Sequence, residues 1–164
     1  MKIKSLIISI LTLFVIWVLL NQKVTSEVLI SGAVVAFAVG LIFCYSCDNY
    51  SDLKLTPKAI LFWFLYIFVF LRELVKSNFD VAKRVISPKL PINPGIVEVK
   101  TKLKSKLGRM ILANSITLTP GTFTVELLGD RIFIHWIDVK SENIEEDTNI
   151  IVRKFEKYLE VIYG

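Results

Sequence analysis

Three runs without a charged side chain constrain this chain most: residues 5–20, 28–45 and 59–71. In hydrocarbon a backbone must satisfy its own N–H and C=O groups, and a helix does so within one segment. The first run is rich in Ile, Leu, Val and Phe, with Trp17 near its end. At 1.5 Å per residue it reaches ~24 Å, slightly short of a ~30 Å hydrocarbon core, and Asn21 and Gln22 extend it toward the interface. Lys2 and Lys4 ahead of an apolar run also resemble a signal peptide. No small-residue cleavage site follows and a second apolar run begins at once, so the segment reads as a retained helix.

The second run carries Ser31, Gly32, Ala33, Ala36, Ala38 and Gly40. Small residues let helix backbones approach closely where van der Waals contact must substitute for a hydrophobic driving force. Gly32, Ala36 and Gly40 are therefore the expected helix-packing residues. The connection over residues 22–27 is so short that the first two helices must form a hairpin. Cys44 and Cys47 have the C-x-x-C spacing of half a zinc site, but no second Cys/His pair follows. They read as small apolar residues at a helix end.

The third run opens at Pro57 and Lys58 and holds Trp63, Tyr66 and four phenylalanines in only 13 uncharged residues. Lys58 and Arg72 must snorkel, or the helix must sit against partners. Beyond Leu71 the pattern turns amphipathic, with Leu74, Val75, Phe79, Ala82, Val85 and Ile86 among Arg72, Glu73, Lys76, Asp80, Lys83 and Arg84. One long helix that leaves the bilayer and runs along or into the cytoplasmic face is expected. The basic cluster at Arg72, Lys76, Lys83, Arg84 and Lys89 places the C-terminal part inside. With three spans the N-terminus is then outside, against the indication of Lys2 and Lys4. Two spans, or a first hairpin that does not cross, are the alternatives.

Only six charged residues lie between positions 5 and 71, whereas the rest of the chain from Leu71 holds 15 Lys+Arg against 12 Asp+Glu. That shift separates a membrane region (residues 1–86, including the amphipathic extension) from a small, mildly basic domain (residues 96–164). Pro88, Pro91 and Pro94 stiffen the linker between them, residues 87–95. In the domain Val97, Val99, Thr101 and Leu103 alternate with Glu98, Lys100 and Lys102, the mark of a half-buried strand. Residues 105–113 suit a short helix with Leu107, Met110 and Ile111 inward. Residues 122–127, Gly129-Asp130 and 131–139 read as strand, turn, strand. Residues 143–162 form a closing helix, acidic first and basic later, as the helix dipole favours. The expected fold is a membrane α-helical region of about three transmembrane helices plus a small cytoplasmic α/β domain of β-α-β-β-α order, its sheet covered by helices on one face.

No Asp, Glu, Lys, Arg or His interrupts the three apolar runs, whereas a proton or cation pathway normally needs buried ionisable groups. His135, the only histidine, lies in the apolar strand Phe133-Ile134-His135-Trp136-Ile137 and reads as a satisfied sheet residue. No nucleophile motif, phosphate loop or metal-ligand spacing is present, so no enzyme, cofactor or metal site is expected. Lys100, Lys102, Lys104 and Lys106 form a basic stripe. It reads first as a solvated face and second as a contact for anionic headgroups or an acidic partner loop. Its aromatic neighbours are not interleaved as an RNA-stacking platform requires, and no nucleic-acid partner is expected.

The most distinctive segment is Ala113-Asn114-Ser115-Ile116-Thr117-Leu118-Thr119-Pro120-Gly121-Thr122. Pro120-Gly121 fits the central positions of a type II turn, with glycine supplying the positive φ. The hydroxyls can cap neighbouring backbone groups. The segment closely resembles the signature of the E subunit of Mrp-type (multiple resistance and pH) multisubunit sodium/proton antiporters. The resemblance continues through Phe123-Thr124-Val125 and Ile134-His135-Trp136-Ile137-Asp138-Val139 and covers essentially the whole chain. Asn114, Ser115, Thr117, Thr119, Pro120, Gly121, Thr122 and His135 are the signature residues, with structural or interaction roles. The resemblance implies an accessory subunit in a bacterial or archaeal cell membrane. Its partners are large subunits related to respiratory complex I, which carry the ion chemistry, small membrane subunits and the lipid bilayer. It supplies no catalytic residue. The alternatives from the residues alone are a membrane-anchored module recruiting RNA or an acidic partner through the lysine stripe, and an oligomeric transporter.

Overall fold

A computed structural model describes residues 2–44, 52–54, 56–141 and 143–164. Two compact units are present, Met1–Leu53 and Lys54–Gly164. This division by contacts differs from the division at residues 86 and 95 expected from membrane and linker patterning. The third helix belongs with the C-terminal domain.

The first unit is a helical hairpin of α1 (Lys2–Asn21) and α2 (Ser26–Cys44). Trp17 faces Gly32 and Ile10 faces Gly40, so the helices run antiparallel. Lys4 donates to the Leu53 carbonyl at 2.5 Å, which brings the start of α1 and the chain beyond α2 to one end. The small residues expected to pack are those that meet α1. A Cβ on Gly32 would stand 2.5 Å from Trp17 Cδ1, and one on Gly40 would stand 2.6 Å from Ile10 Cγ1. Ala36 is buried on the same face. Among the described residues, α1 is the one helix long and apolar enough to cross a membrane by length and composition; α2 is apolar but shorter by the same measure. Cys44 ends α2, and the C-x-x-C expectation otherwise lies outside the described residues.

The second unit opens with α3 (Pro57–Ile86), a single helix of 30 residues. Thr56 caps it by accepting from the Ala59 N–H, and Pro57 occupies the first turn, where its missing donor costs nothing. Lys83 and Arg84 complement its C-terminal dipole. Then follow β1 (Gly95–Lys100), α4 (Lys106–Leu118), β2 (Thr122–Leu128), β3 (Arg131–Trp136), α5 (Ile144–Ile151) and α6 (Arg153–Tyr163). The sheet is antiparallel with order β1-β3-β2, a bulge between Thr124 and Glu126, and helices on one face. Val97, Val99, Ile132, Ile134 and Trp136 point into the core, while Ile96, Phe123 and His135, neighbours in register, face outward.

The alternation read over residues 97–103 holds throughout: Thr101 and Leu103 are buried and Lys102 exposed although β1 itself stops at Lys100. The Thr101 N–H still donates to the Asp130 carbonyl at 2.8 Å, and buried Glu156 takes over beyond it. Its Oε1 accepts from the Thr101 hydroxyl and the Lys102 N–H, both at 2.6 Å, and Arg153 pairs with its other oxygen. Three expectations are corrected. Met110 is 53% exposed, and the inward face of α4 is Leu112, Ser115 and Ile116. Strand β3 ends at Trp136, not at residue 139, because Ile137 and Val139 bond to Gly121 and Asn93. The closing helix is broken at Val152, after Ile150 and Ile151, a β-branched run of weak helix formers, so that α5 packs on β1 and α6 on α3. The linker is likewise tied down: Asn93 bridges Asp138, and its amide donates to the Val139 carbonyl at 2.9 Å.

Gly32→Ala is expected to destabilise the hairpin by about 1–3 kcal/mol, because the Trp17 ring fixes the clash, and Gly40→Ala by less, because the Ile10 side chain can rotate away. Denaturant titration of the full chain in mild detergent measures both; a Gly32→Ala variant indistinguishable from the parent would refute the packing argument.

Candidate functional site

Residues 113–124 join α4 to β2 and rest on α3, and each hydroxyl there has an assigned task. An α-helix leaves its last carbonyls without intrahelical donors. Thr119, at the C-cap of α4, donates to the Ile116 carbonyl at 2.7 Å, and Thr122 donates to the same carbonyl at 2.6 Å. Thr124 donates to the Ala113 carbonyl at 3.1 Å, and Thr117 accepts from the Thr124 N–H at 3.1 Å. Pro120-Gly121 forms the expected tight turn, closed by the Thr122 N–H to the Thr119 carbonyl at 3.3 Å, with Gly121 at φ 91°. A Cβ on Gly121 would stand 3.0 Å from Ile137 and 3.6 Å from Val81 of α3. Asn114 points to solvent.

Ser115 makes the link to α3 that sequence reasoning missed. It donates to the Ile111 carbonyl at 2.7 Å, which leaves the buried Tyr66 hydroxyl as donor to Ser115 Oγ in a short hydrogen bond. Tyr66 was legible only as part of a uniformly apolar run; a lone hydroxyl amid phenylalanines was the available signal.

Beside the Pro120 turn lies a cleft of about 210 Å³ between α3, β3 and α6. Thr119, Pro120 and Thr122 line one wall and Glu73, Lys76 and Asp80 of α3 the other, with Lys140 and Lys154 at the rim. Its charges are largely matched. Lys154 binds Glu73 at 3.2 Å, and Arg84 binds both Asp80 and Asp138 at 2.8 Å while donating to the Pro91 carbonyl at 2.6 Å. The hydrogen bond from Arg84 holds the Asp80 carboxyl below its usual range. Arg84 thereby ties helix, linker and sheet together, a role not read from the sequence.

The other expected site residues are dispersed. His135 is exposed on the outer sheet face between Ile96 and Phe123, not enclosed within the sheet. Lys100, Lys102, Lys104 and Lys106 form an exposed row backed by buried Thr101, Leu103 and Ser105. Gly32, Ala36 and Gly40 lie in the other unit. Among the described residues no three His, Cys, Asp or Glu side chains converge as a metal site.

Asp147 in α5 is 2% exposed, and its Oδ1 has no hydrogen-bond partner among the described residues. Burial pushes its carboxyl above the ordinary carboxylate value, and the Glu146 charge pushes the same way.

The class the structure defines is an apolar helical hairpin joined in one chain to a small α+β domain. The sequence matches the family described as Na+/H+ ion antiporter subunit over residues 10–162. It is 35% identical over 134 residues to the E subunit of the Na+/H+ antiporter of Alkalihalophilus pseudofirmus, covering 80% of this chain and 82% of that one. It is 36% identical over 151 residues to the E1 subunit of the Na+/H+ antiporter of Staphylococcus haemolyticus, covering 87% of each. A chain of the membrane-bound sulfane sulfur reductase, an archaeal respiratory membrane complex, superposes with a TM-score of 0.86 at 43% identity, covering 97% of this chain and 99% of that one. The chain belongs to the family of Na+/H+ antiporter E subunits, as its signature segment indicates.

Tyr66→Phe and Ser115→Ala are each expected to cost about 0.5–1.5 kcal/mol, and the double variant less than their sum, since both remove one hydrogen bond. Additive losses in thermal unfolding would sink the pairing. For Asp147, a folded-state value above the unfolded one of about 3.9 means the folded state holds the proton more tightly. Stability is then greatest with the carboxyl protonated and falls as pH rises through the window above about 3.9. Asp147→Asn is expected to flatten that slope and to match or exceed the parent at neutral pH; a steeper fall in its melting temperature than the parent's would contradict this.

Proposed function

We propose that this chain is an accessory subunit of a multisubunit monovalent cation/proton antiporter, supporting the integrity of the complex while larger subunits carry the ions. Family membership across nearly the whole chain carries the reading. The uncharged apolar runs and the committed charges of the domain support the division of labour. In this reading the protein is multi-pass in the cell membrane, α1 and α2 cross as a hairpin, and the C-terminal domain faces the cytoplasm. The membrane region, linker and domain divide at residues 86 and 95. The signature residues Asn114–Thr122 and exposed His135 serve structure and contact with neighbouring subunits, and the lysine row at 100, 102, 104 and 106 faces solvent or an acidic loop. The RNA-recruiting alternative draws no support from the relatives.

A second reading is favoured by the 43% identity to the chain of the archaeal respiratory membrane complex, higher than the 35–36% to the two antiporter subunits. In that reading the chain serves a respiratory membrane complex that includes a reductase. Gentle solubilisation, capture through a C-terminal tag and mass spectrometry separate the readings. Antiporter subunits alone in stable proportion support the first, and additional redox subunits support the second. Recovery of the chain without large membrane subunits would overturn both.

A further inference from the structure

Helix α3 has two apolar faces, and the fold uses one. Phe62, Trp63, Tyr66 and Phe70 turn toward α6, where the rings of Phe155, Tyr158 and Tyr163 meet them at 6.1–6.5 Å. On the opposite side Leu61, Phe64, Phe68, Leu71, Val75 and Phe79 are 50–73% exposed. Their spacing of three and four residues makes one continuous stripe along the helix.

At 100° per residue, Lys58, Arg72, Lys76 and Lys83 all fall on one flank of that stripe. The acidic residues of α3 are placed elsewhere. Glu73 is 12% exposed and pairs with Lys154 at 3.2 Å, standing 3.7 Å from Arg72, and Asp80 pairs with Arg84. The outward surface is thus apolar with a cationic border, the complement of anionic headgroups over acyl chains.

Spanning does not fit this helix. Its apolar part, residues 59–71, reaches only ~20 Å of a ~30 Å core, and the remainder carries six charged residues. A spanning α3 would also draw α6, with Arg153, Lys154 and Lys157, into hydrocarbon. The basic residues give an independent argument. If only the α1–α2 hairpin crosses, Lys2 and Lys4 lie on the same side as the Arg72–Lys89 cluster, and the orientation rule no longer conflicts with itself.

We propose that α3 lies in the plane of the membrane surface, its Leu61–Phe79 stripe seated at the boundary between headgroups and acyl chains of anionic lipid. The domain stands on it through α6. This assignment concerns the chain itself and holds whichever complex the chain joins.

The test uses the full chain with Cys44→Ser and Cys47→Ser. It is reconstituted in vesicles of mixed phosphatidylglycerol and phosphatidylcholine. Nitroxide labels are placed singly by Phe64→Cys, Phe68→Cys, Val75→Cys and Phe79→Cys, with Lys102→Cys as the aqueous reference. The expected result is high oxygen and low nickel-chelate accessibility at all four positions, at one shallow depth of about 5–10 Å. Replacing Arg72, Lys76 and Lys83 with Gln is expected to raise nickel accessibility at Val75 and Phe79. A depth that passes through the bilayer centre between positions 64 and 75 overturns the proposal in favour of a span. Aqueous accessibility at the four positions, or low accessibility to both reagents, overturns it in favour of a free or protein-covered face. No response to the charge substitutions removes the anionic lipid as occupant.

Discussion

Everything in the second unit depends on the packing of α6 against α3 around Phe155. This ring is fully buried and lies 6.5 Å from Tyr66 and 6.4 Å from Phe70. A helix of 11 residues is marginal alone in water, so α6 owes its existence to the apolar surface it covers. Once it is docked, Leu159 and Ile162 complete the core, and Glu156 is carried to the point where the chain leaves β1. A buried carboxylate binding one hydroxyl and one backbone N–H costs desolvation, and its bonds are what make that position tenable. The aromatic contact therefore organises the helical layer, and the helical layer then fixes the irregular segment joining β1 to α4.

The signature segment attaches to this arrangement at two points. Ser115 meets Tyr66, and Gly121 packs near Val81, about four turns further along the same helix. The intervening threonines close the carbonyls of α4, so helix end, turn and β2 form one rigid piece. Side chains of serine and threonine at a helix end usually compete with the helix for backbone groups. Here the competition is turned to capping, which explains why α4 continues to Leu118 through residues whose local pattern suits a short helix and a loop.

What could be read from the sequence was whatever has a period or a forced geometry. Burial alternates every second residue from Val97 to Leu103, the connection of four residues between α1 and α2 compels a hairpin, and Pro120-Gly121 compels a turn. The site was legible as a motif but not as a set of contacts. A largely apolar run hides its own orientation: Phe70 turns inward and Phe64 and Phe68 outward, with nothing in hydrophobicity to distinguish them. The roles of Arg84 and Glu156 could not be read from local pattern because their partners are distant in sequence, at Asp138 and at Thr101. Met110 was misplaced because the inward arc of α4 is set by α6 and β2, which a local pattern does not contain.

These placements bear on why a member of this family can be small. From residue 5 to residue 42 the ionisable groups are Lys23 and Glu27, in the connection and the first turn of α2, so over these residues the hairpin holds no charged side chain in its interior. Close contact at Gly32 and Gly40 makes the hairpin a shape-defined body, and shape is what helix association in lipid selects for. The domain, for its part, has Asp80, Asp138, Glu73 and Glu156 held by Arg84, Lys154 and Arg153. An uncharged, close-packed hairpin and a domain whose carboxylates at these four positions are paired within the chain are compatible with the accessory role proposed above. Ion binding at a buried site would require several unpaired ligands together, whereas Asp147, buried with an unpartnered oxygen, belongs to no group of three His, Cys, Asp or Glu side chains among the described residues.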